Sequence, residues 1–232
     1  MIRTLRIMTL LSSATLGALC PAREESKFAL PAAPVELVTE EAKFRPFAEN
    51  VRTEVERLFT VPAAVDDRAT LSVLLSTRVH LAHHFGDNER AVSTAAWIRS
   101  LQPDPALRAF AGLTTLAAVE ARRRHPGTAP GDANYRATFR REFTGQLAQL
   151  PRTPEIATML RGQREKIAGL TEAALLAETR DVIIPALARR GHCGLAEADQ
   201  LVRVRHRMVS ILPLKAETLQ ALDAAIAARS SP

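Results

Sequence analysis

The densest group of chemically capable side chains is the segment His80-Leu81-Ala82-His83-His84. On a helix, His80 and His84 stand one turn apart on one face, with His83 beside that face. Two imidazoles at that spacing can share a divalent metal such as zinc, and Asp87 or Glu89, just beyond them, would add an oxygen ligand. The glutamate that zinc peptidases carry between their two histidines is missing, which counts against a peptidase. The competing reading is that His83 or His84 answers the dipole at the end of a helix, or that these are surface polar residues.

His192-Cys193 and His206 join such a site only if the C-terminal part of the chain folds back onto residues 80–84. His192 stands beside Gly191 and Gly194 and reads as a turn residue. A lone cysteine in an apolar chain is more often a small buried side chain than a nucleophile, and pairing Cys193 with His206 would need an activating environment. The carboxylate pairs Glu40/Glu41 and Glu197/Asp199 fall at helix starts, where acids favour the dipole. No G-x-S-x-G elbow, phosphate-cradling loop or G-x-G-x-x-G occurs, so no catalytic residue and no nucleotide cofactor is assigned.

Charge narrows the partners. The formal net charge is +6, and only four of the 31 bases are lysine. Arginines cluster at 122–124, at 189–190 and at 203, 205 and 207. Nucleic-acid binding favours basic residues aligned on one face, interleaved with aromatics. Positions 203, 205 and 207 instead fan around a helix, and aromatics are only 4% of the chain. Solvated helix faces, without nucleic-acid binding, are the expectation.

The elements that must position these residues begin after an export signal. Arg3 and Arg6 precede the neutral run Ile7 to Leu19, which Pro21 ends, and that is the layout of a secretory signal peptide. The run is too short to span a bilayer, which takes roughly 20 apolar residues. Cleavage after Ala22 leaves Cys20 and Ala22 at the positions the peptidase reads. The stretch LGAL-C also resembles the lipidation signal of bacterial lipoproteins, with Cys20 as the attachment point, although Leu19 stands where a small residue belongs. No other stretch is apolar enough to span a membrane. The expectation is export to the periplasm or the extracellular space, with a lipid anchor as the alternative.

Residues 23–38 read as an extended leader, and residues 39–232 as a helical domain. Strand alternation is weak, while helix punctuation recurs. A first helix starts at Thr39-Glu40-Glu41 and runs to about Phe59, with Pro46 able to split off its first turn. Asp66 or Asp67 caps a segment to Phe85, Asp87 one to Leu101, and Asp104-Pro105 one to Arg124. Asp132 opens the next, to Leu150. Thr153-Pro154-Glu155 and Thr171-Glu172 open two more, the latter reaching Arg190 with a kinking Pro185 inside. Leu195 to Leu212 and Lys215 to Ala228 complete the set. About eight or nine helices with short links give an all-α fold, a multi-helix bundle or a short helical-repeat-like array. The run 125–131, with two prolines and two glycines, is the best internal break between two possible lobes.

Residues 71–104 resemble a single tetratricopeptide repeat, a two-helix hairpin of 34 residues. The likeness rests on Gly86-Asp87-Asn88-Glu89-Arg90-Ala91 at the turn and Leu101-Gln102-Pro103-Asp104 at the end. Arg78, Val79 and Ala82 depart from the first-helix signature, and the next 34 residues do not repeat the pattern. The resemblance implies a protein-binding surface. The function expected is therefore an exported, non-catalytic helical protein that binds another protein or serves as an envelope scaffold. A metal-dependent enzyme or metal-binding protein centred on His80 and His84, with zinc, is the alternative.

Overall fold

Side-chain oxygens set most of the helix starts. In a computed structural model that describes residues 27–230, Asp67, Asp87, Asp104, Asp132, Thr153 and Thr171 each accept a backbone N–H from the first turn of the helix they precede. These caps satisfy donors that have no partner inside the helix. The result is all-α: 81% of the described residues are helical, and none of them lies in a strand. Among the described residues, no helix is long and apolar enough to cross a membrane. The readings of residues 1–22 as a signal peptide and of Cys20 as a lipidation point lie outside the described residues.

The helices run in the order α1 (Pro34–Thr39), α2 (Glu41–Phe59), α3 (Pro62–Asp66), α4 (Arg68–Phe85), α5 (Asn88–Leu101), α6 (Pro105–Phe110), α7 (Leu113–Arg124), α8 (Ala133–Ala148), α9 (Pro154–Ala168), α10 (Glu172–Glu178), α11 (Ile184–Arg190), α12 (Leu195–His206) and α13 (Lys215–Ser230). Three points differ from the sequence reading. The leader is not extended throughout, because Pro34 at a first helical position starts α1 and buries Leu37 and Val38. Pro46 does not split α2. The segment from Asp104 to Arg124 breaks at Gly112, whose φ of 81° is left-handed and whose approach to Ala95 leaves a Cβ only 3.1 Å from the alanine methyl. A side chain there would be strained twice over.

Two prolines late in the chain are each preceded by a π-turn. Thr179–Ile183 joins α10 to α11 ahead of Pro185, and Arg207–Ile211 continues α12 ahead of Pro213. In each turn an N–H reaches five residues back, Ile184 to Thr179 and Leu212 to Arg207. A proline ring crowds the carbonyl four residues earlier, and the wider turn relieves that crowding without ending the helix. The kink expected at Pro185 takes this form.

Apolar side chains gather in two main clusters. The first joins α1, α2, α4 and α10–α12, with Phe44, Val51, Val55, Leu74, Leu81, Leu175, Ile183 and Leu201 at its centre. On α2 the buried residues Phe44, Ala48, Val51, Val55 and Leu58 follow steps of four and three, the period of one helix face. The second cluster joins α7, α8, α9 and α13. Small residues of α7 (Ala117, Ala118, Ala121) receive the large ones of α8 (Tyr135, Phe139, Phe143). The loop 125–131 turns between α7 and α8, both of the second cluster. The chain passes from the first cluster to the second through α5–α7, returns to the first between α9 and α10, and reaches the second again through the π-turn after α12; the small residues Ala82, Ala91 and Val119 pack between α4, α5 and α7.

Candidate functional site

The C-terminal part of the chain does fold back onto residues 80–84. Helix α12 packs along α4 and brings its last residue, His206, against two imidazoles of α4. The His206 ring centre lies 4.7 Å from that of His80 and 5.1 Å from that of His83. The spacing of three places His80 and His83 on the same side of α4, which is why both reach α12. His83 is buried, while His80 and His206 keep a small part of their surface.

The charged side chains that act most strongly on this trio are arginines. Arg122 of α7 donates to the His83 carbonyl and to Asn88 Oδ1, both at 3.0 Å, and so closes the end of α4. Burial, then Arg203 and His83, push the His80 pKa down to about 3. Burial and then Arg122 push His83 down to about 4. Burial, then the two neighbouring imidazoles and the arginines 122 and 207, hold His206 well below the ordinary histidine value. The rings are therefore neutral and pack as aromatic discs. An acid–base catalyst works best with a pKa near the operating pH, and these three are far from it.

The carboxylates nearby are already engaged. Asp199 of α12 is buried, accepts from Thr77 Oγ1 at 3.1 Å and lies 3.7 Å from Arg203. Burial raises its pKa, with Arg203 opposing. Arg207 donates to Glu178 at 2.7 Å. Arg205 is buried, stacks over Phe44, and donates to the Val38 carbonyl and to Glu41, each at 3.0 Å. The expected solvated fan of arginines at 203, 205 and 207 is thus corrected: α12 is packed on more than one side, so its arginines meet protein. Asp199 likewise does not serve the helix start. Glu197 does, accepting the Gly194 N–H at 3.1 Å.

His84 turns away from the trio. Its ring meets Phe44 and Phe85 edge-on, both with centres 4.8 Å away, and its Nε2 lies 3.4 Å from Glu41 Oε1. Burial lowers its pKa, with Glu41 opposing. His80 and His84 line a common shallow recess of about 200 Å³, solvent at its mouth included, together with Phe44, Arg205, His206 and Ser210. His80 Nδ1, His84 Nε2 and Arg205 Nε are buried there without a hydrogen bond of good geometry. In this structure the two rings of the expected metal pair face different neighbours: that of His80 meets His206, and that of His84 meets Glu41. Among the described residues no group of three or more His, Cys, Asp or Glu is placed to hold a metal ion, Asp87 and Glu89 included. Asp87 is spent on capping α5. The arginine field around the trio also opposes a cation.

Cys193 is buried, and burial followed by the nearby Glu197 pushes its thiol up to about 12, the reverse of an activated nucleophile. Its carbonyl accepts the Phe28 N–H at 2.7 Å, tying the start of the described chain to this turn. His192 Nδ1 pairs with the Arg190 carbonyl at 3.1 Å, within its own turn.

A second recess opens where α2 meets the α4–α5 hairpin, with about 250 Å³ of empty space, open solvent included. Val55, Leu81, Ala82 and Phe85 form its floor, and Arg52, Arg78 and Arg90 stand around it with Glu56 and Asp87. Arg78 grips Glu56 with two hydrogen bonds of 3.0 and 3.1 Å and stacks over Phe59. Arg90 shares Glu56 and Asp87 at 3.7 and 3.5 Å. Arg52 lies 4.2 Å over the Phe85 ring and makes no ion pair among the described residues.

No family model, curated protein or solved structure matches the chain at a significant level. The hairpin of α4 and α5 forms over the residues that resemble a tetratricopeptide repeat, turning at left-handed Gly86. It is followed by the short α6 and then α7 rather than by a second hairpin of the same length.

Proposed function

We propose that this chain is an exported, non-catalytic helical module that binds another protein through the recess between α2 and the α4–α5 hairpin. The observation that carries the reading is the pairing of an apolar floor with an arginine rim in which Arg52 has no carboxylate partner among the described residues. Arginine is among the residues that most often dominate binding energy, because its planar fork spans apolar contact and carboxylate recognition together. Arg52, Arg78 and Arg90 stand against Glu56 and Asp87, so the rim carries one positive charge in excess. The matching partner presents one bulky apolar side chain flanked by carboxylates. The export expectation rests on Arg3, Arg6 and the neutral run that follows.

Selection of displayed random peptides against the folded chain tests this reading. It is expected to return acidic sequences with a single large apolar residue, whose binding Arg52→Glu weakens at least tenfold without loss of helicity. Selected peptides without acidic character, or undiminished binding to the Arg52→Glu variant, would refute it.

A further inference from the structure

The imidazole trio sits where the two hydrophobic clusters meet. His80 and His83 belong to α4 and His206 to the end of α12, both elements of the first cluster. Arg122, which closes the end of α4, comes from α7 of the second. His206 is also the last residue before the π-turn Arg207–Ile211, through which the chain crosses to α13 and the second cluster. The residues of that π-turn are all partly exposed, and its closing N–H reaches five residues back instead of four. A contact among three titratable rings thus lies at the junction between the two clusters.

We propose that the His80–His83–His206 contact is an acid-operated joint: proton uptake by the rings parts the end of α12 and its π-turn from α4 and α7 while the second cluster stays folded. The charged groups facing the trio are known from each side. From α7 comes Arg122, from α12 Arg203 and Asp199, and from the π-turn Arg207. Each nearby carboxylate is held by an arginine: Asp199 by Arg203, Glu178 of α10 by Arg207, and Glu41 of α2 by Arg205. On α4 itself, His84 faces Glu41, with Arg45, Glu49 and Arg205 around it. A charged ring in the trio finds three arginines and no carboxylate of its own. Three imidazolium rings at these separations repel one another as well.

The sign follows from linkage. These histidines have folded pKa values below the ordinary value of about 6.5, so the closed form binds fewer protons than the open one. The closed form is fully stabilised above about pH 6.5 and loses that stability as the pH falls toward about 4. With three rings, opening takes up about three protons, and the opening constant rises on the order of a thousandfold per pH unit inside that window.

Hydrogen exchange of the full chain between pH 7.5 and 4.5, expressed as protection relative to intrinsic rates, reads this directly. Protection across residues 200–211 and the end of α4 is expected to collapse below pH 6, while α7, α8 and α13 keep theirs. His206→Phe, which keeps a flat ring and removes one titrating group, is expected to lower the proton uptake from about three to about two. Should that variant fail to fold, the histidine ring resonances of the wild type decide: those of His80, His83 and His206 stay at neutral-ring positions while protection holds and move to protonated-ring positions together, in the pH range in which protection across the end of α12 is lost. Titration of these rings near pH 6.5 in the folded chain would overturn the proposal. So would loss of protection in all helices together, or an unchanged slope in His206→Phe.

Discussion

The two hydrophobic clusters solve burial in different ways. Around the second, the buried polar side chains are Tyr135, Thr138 and Thr218, none of them charged at neutral pH. Around the first, α12 alone buries Glu197, Asp199 and Arg205, and α4 buries His83. One region is held by shape and apolar area. The other has charges taken out of water and matched to fixed partners, so its integrity depends on protonation and on each partner being present. A helix packed against α1, α4 and the Thr179–Ile183 turn has few faces left for solvent, and α12 spends its polar residues on neighbours instead.

The contrast can be broken from either side. Phe139→Ala removes a fully buried ring from the second cluster. It is expected to cost about 3–5 kcal/mol in denaturant unfolding, with the same loss at pH 7.5 and pH 5.5. Arg205→Ala in the first cluster strands the buried Val38 carbonyl and releases Glu41. Because Glu41 is half-exposed, the expected loss is smaller, about 2 kcal/mol, and it appears first as weakened hydrogen-exchange protection in α1. Tyr135→Phe keeps the ring and removes only the hydrogen bond of 3.0 Å to the Ala118 carbonyl. It is expected to cost about 1 kcal/mol and sharpens the comparison by sizing a side-chain hydrogen bond buried among those aromatics.

Much of the scaffold was legible before any coordinates. Caps and left-handed glycines act within a few residues, so Asp67, Asp87, Asp104, Asp132, Thr153, Thr171 and Gly86 mark their helix ends by local chemistry alone. The break at Gly112 escaped because its second cause, the closeness of Ala95, belongs to tertiary packing. The site was legible only in part. His80 and His83 were visible as helix neighbours, but the third ring comes from a residue far along the chain. The partners of Asp199 and Arg205 are equally remote, 122 and up to 167 residues away in sequence. A two-residue spacing of arginines carries no signal that both sides of the helix will be covered. The π-turns had a faint sign in Pro185 and Pro213, which foretell trouble in a helix but not how the backbone resolves it.

That resolution has a bearing on how one continuous helical path serves two cores. Each residue added to a helix swings the following side chains by about 100° about the axis. The looser winding at Arg207–Ile211 resets the phase between α12, which looks into the first cluster, and α13, whose Ala221, Leu222 and Ala225 look into the second. Removing a single residue there would leave every local preference intact and still aim the last helix at the wrong neighbours. The proline six positions past the start of that turn therefore acts like a tooth in a gear, fixing the angular offset at which the end of the molecule meshes with the rest.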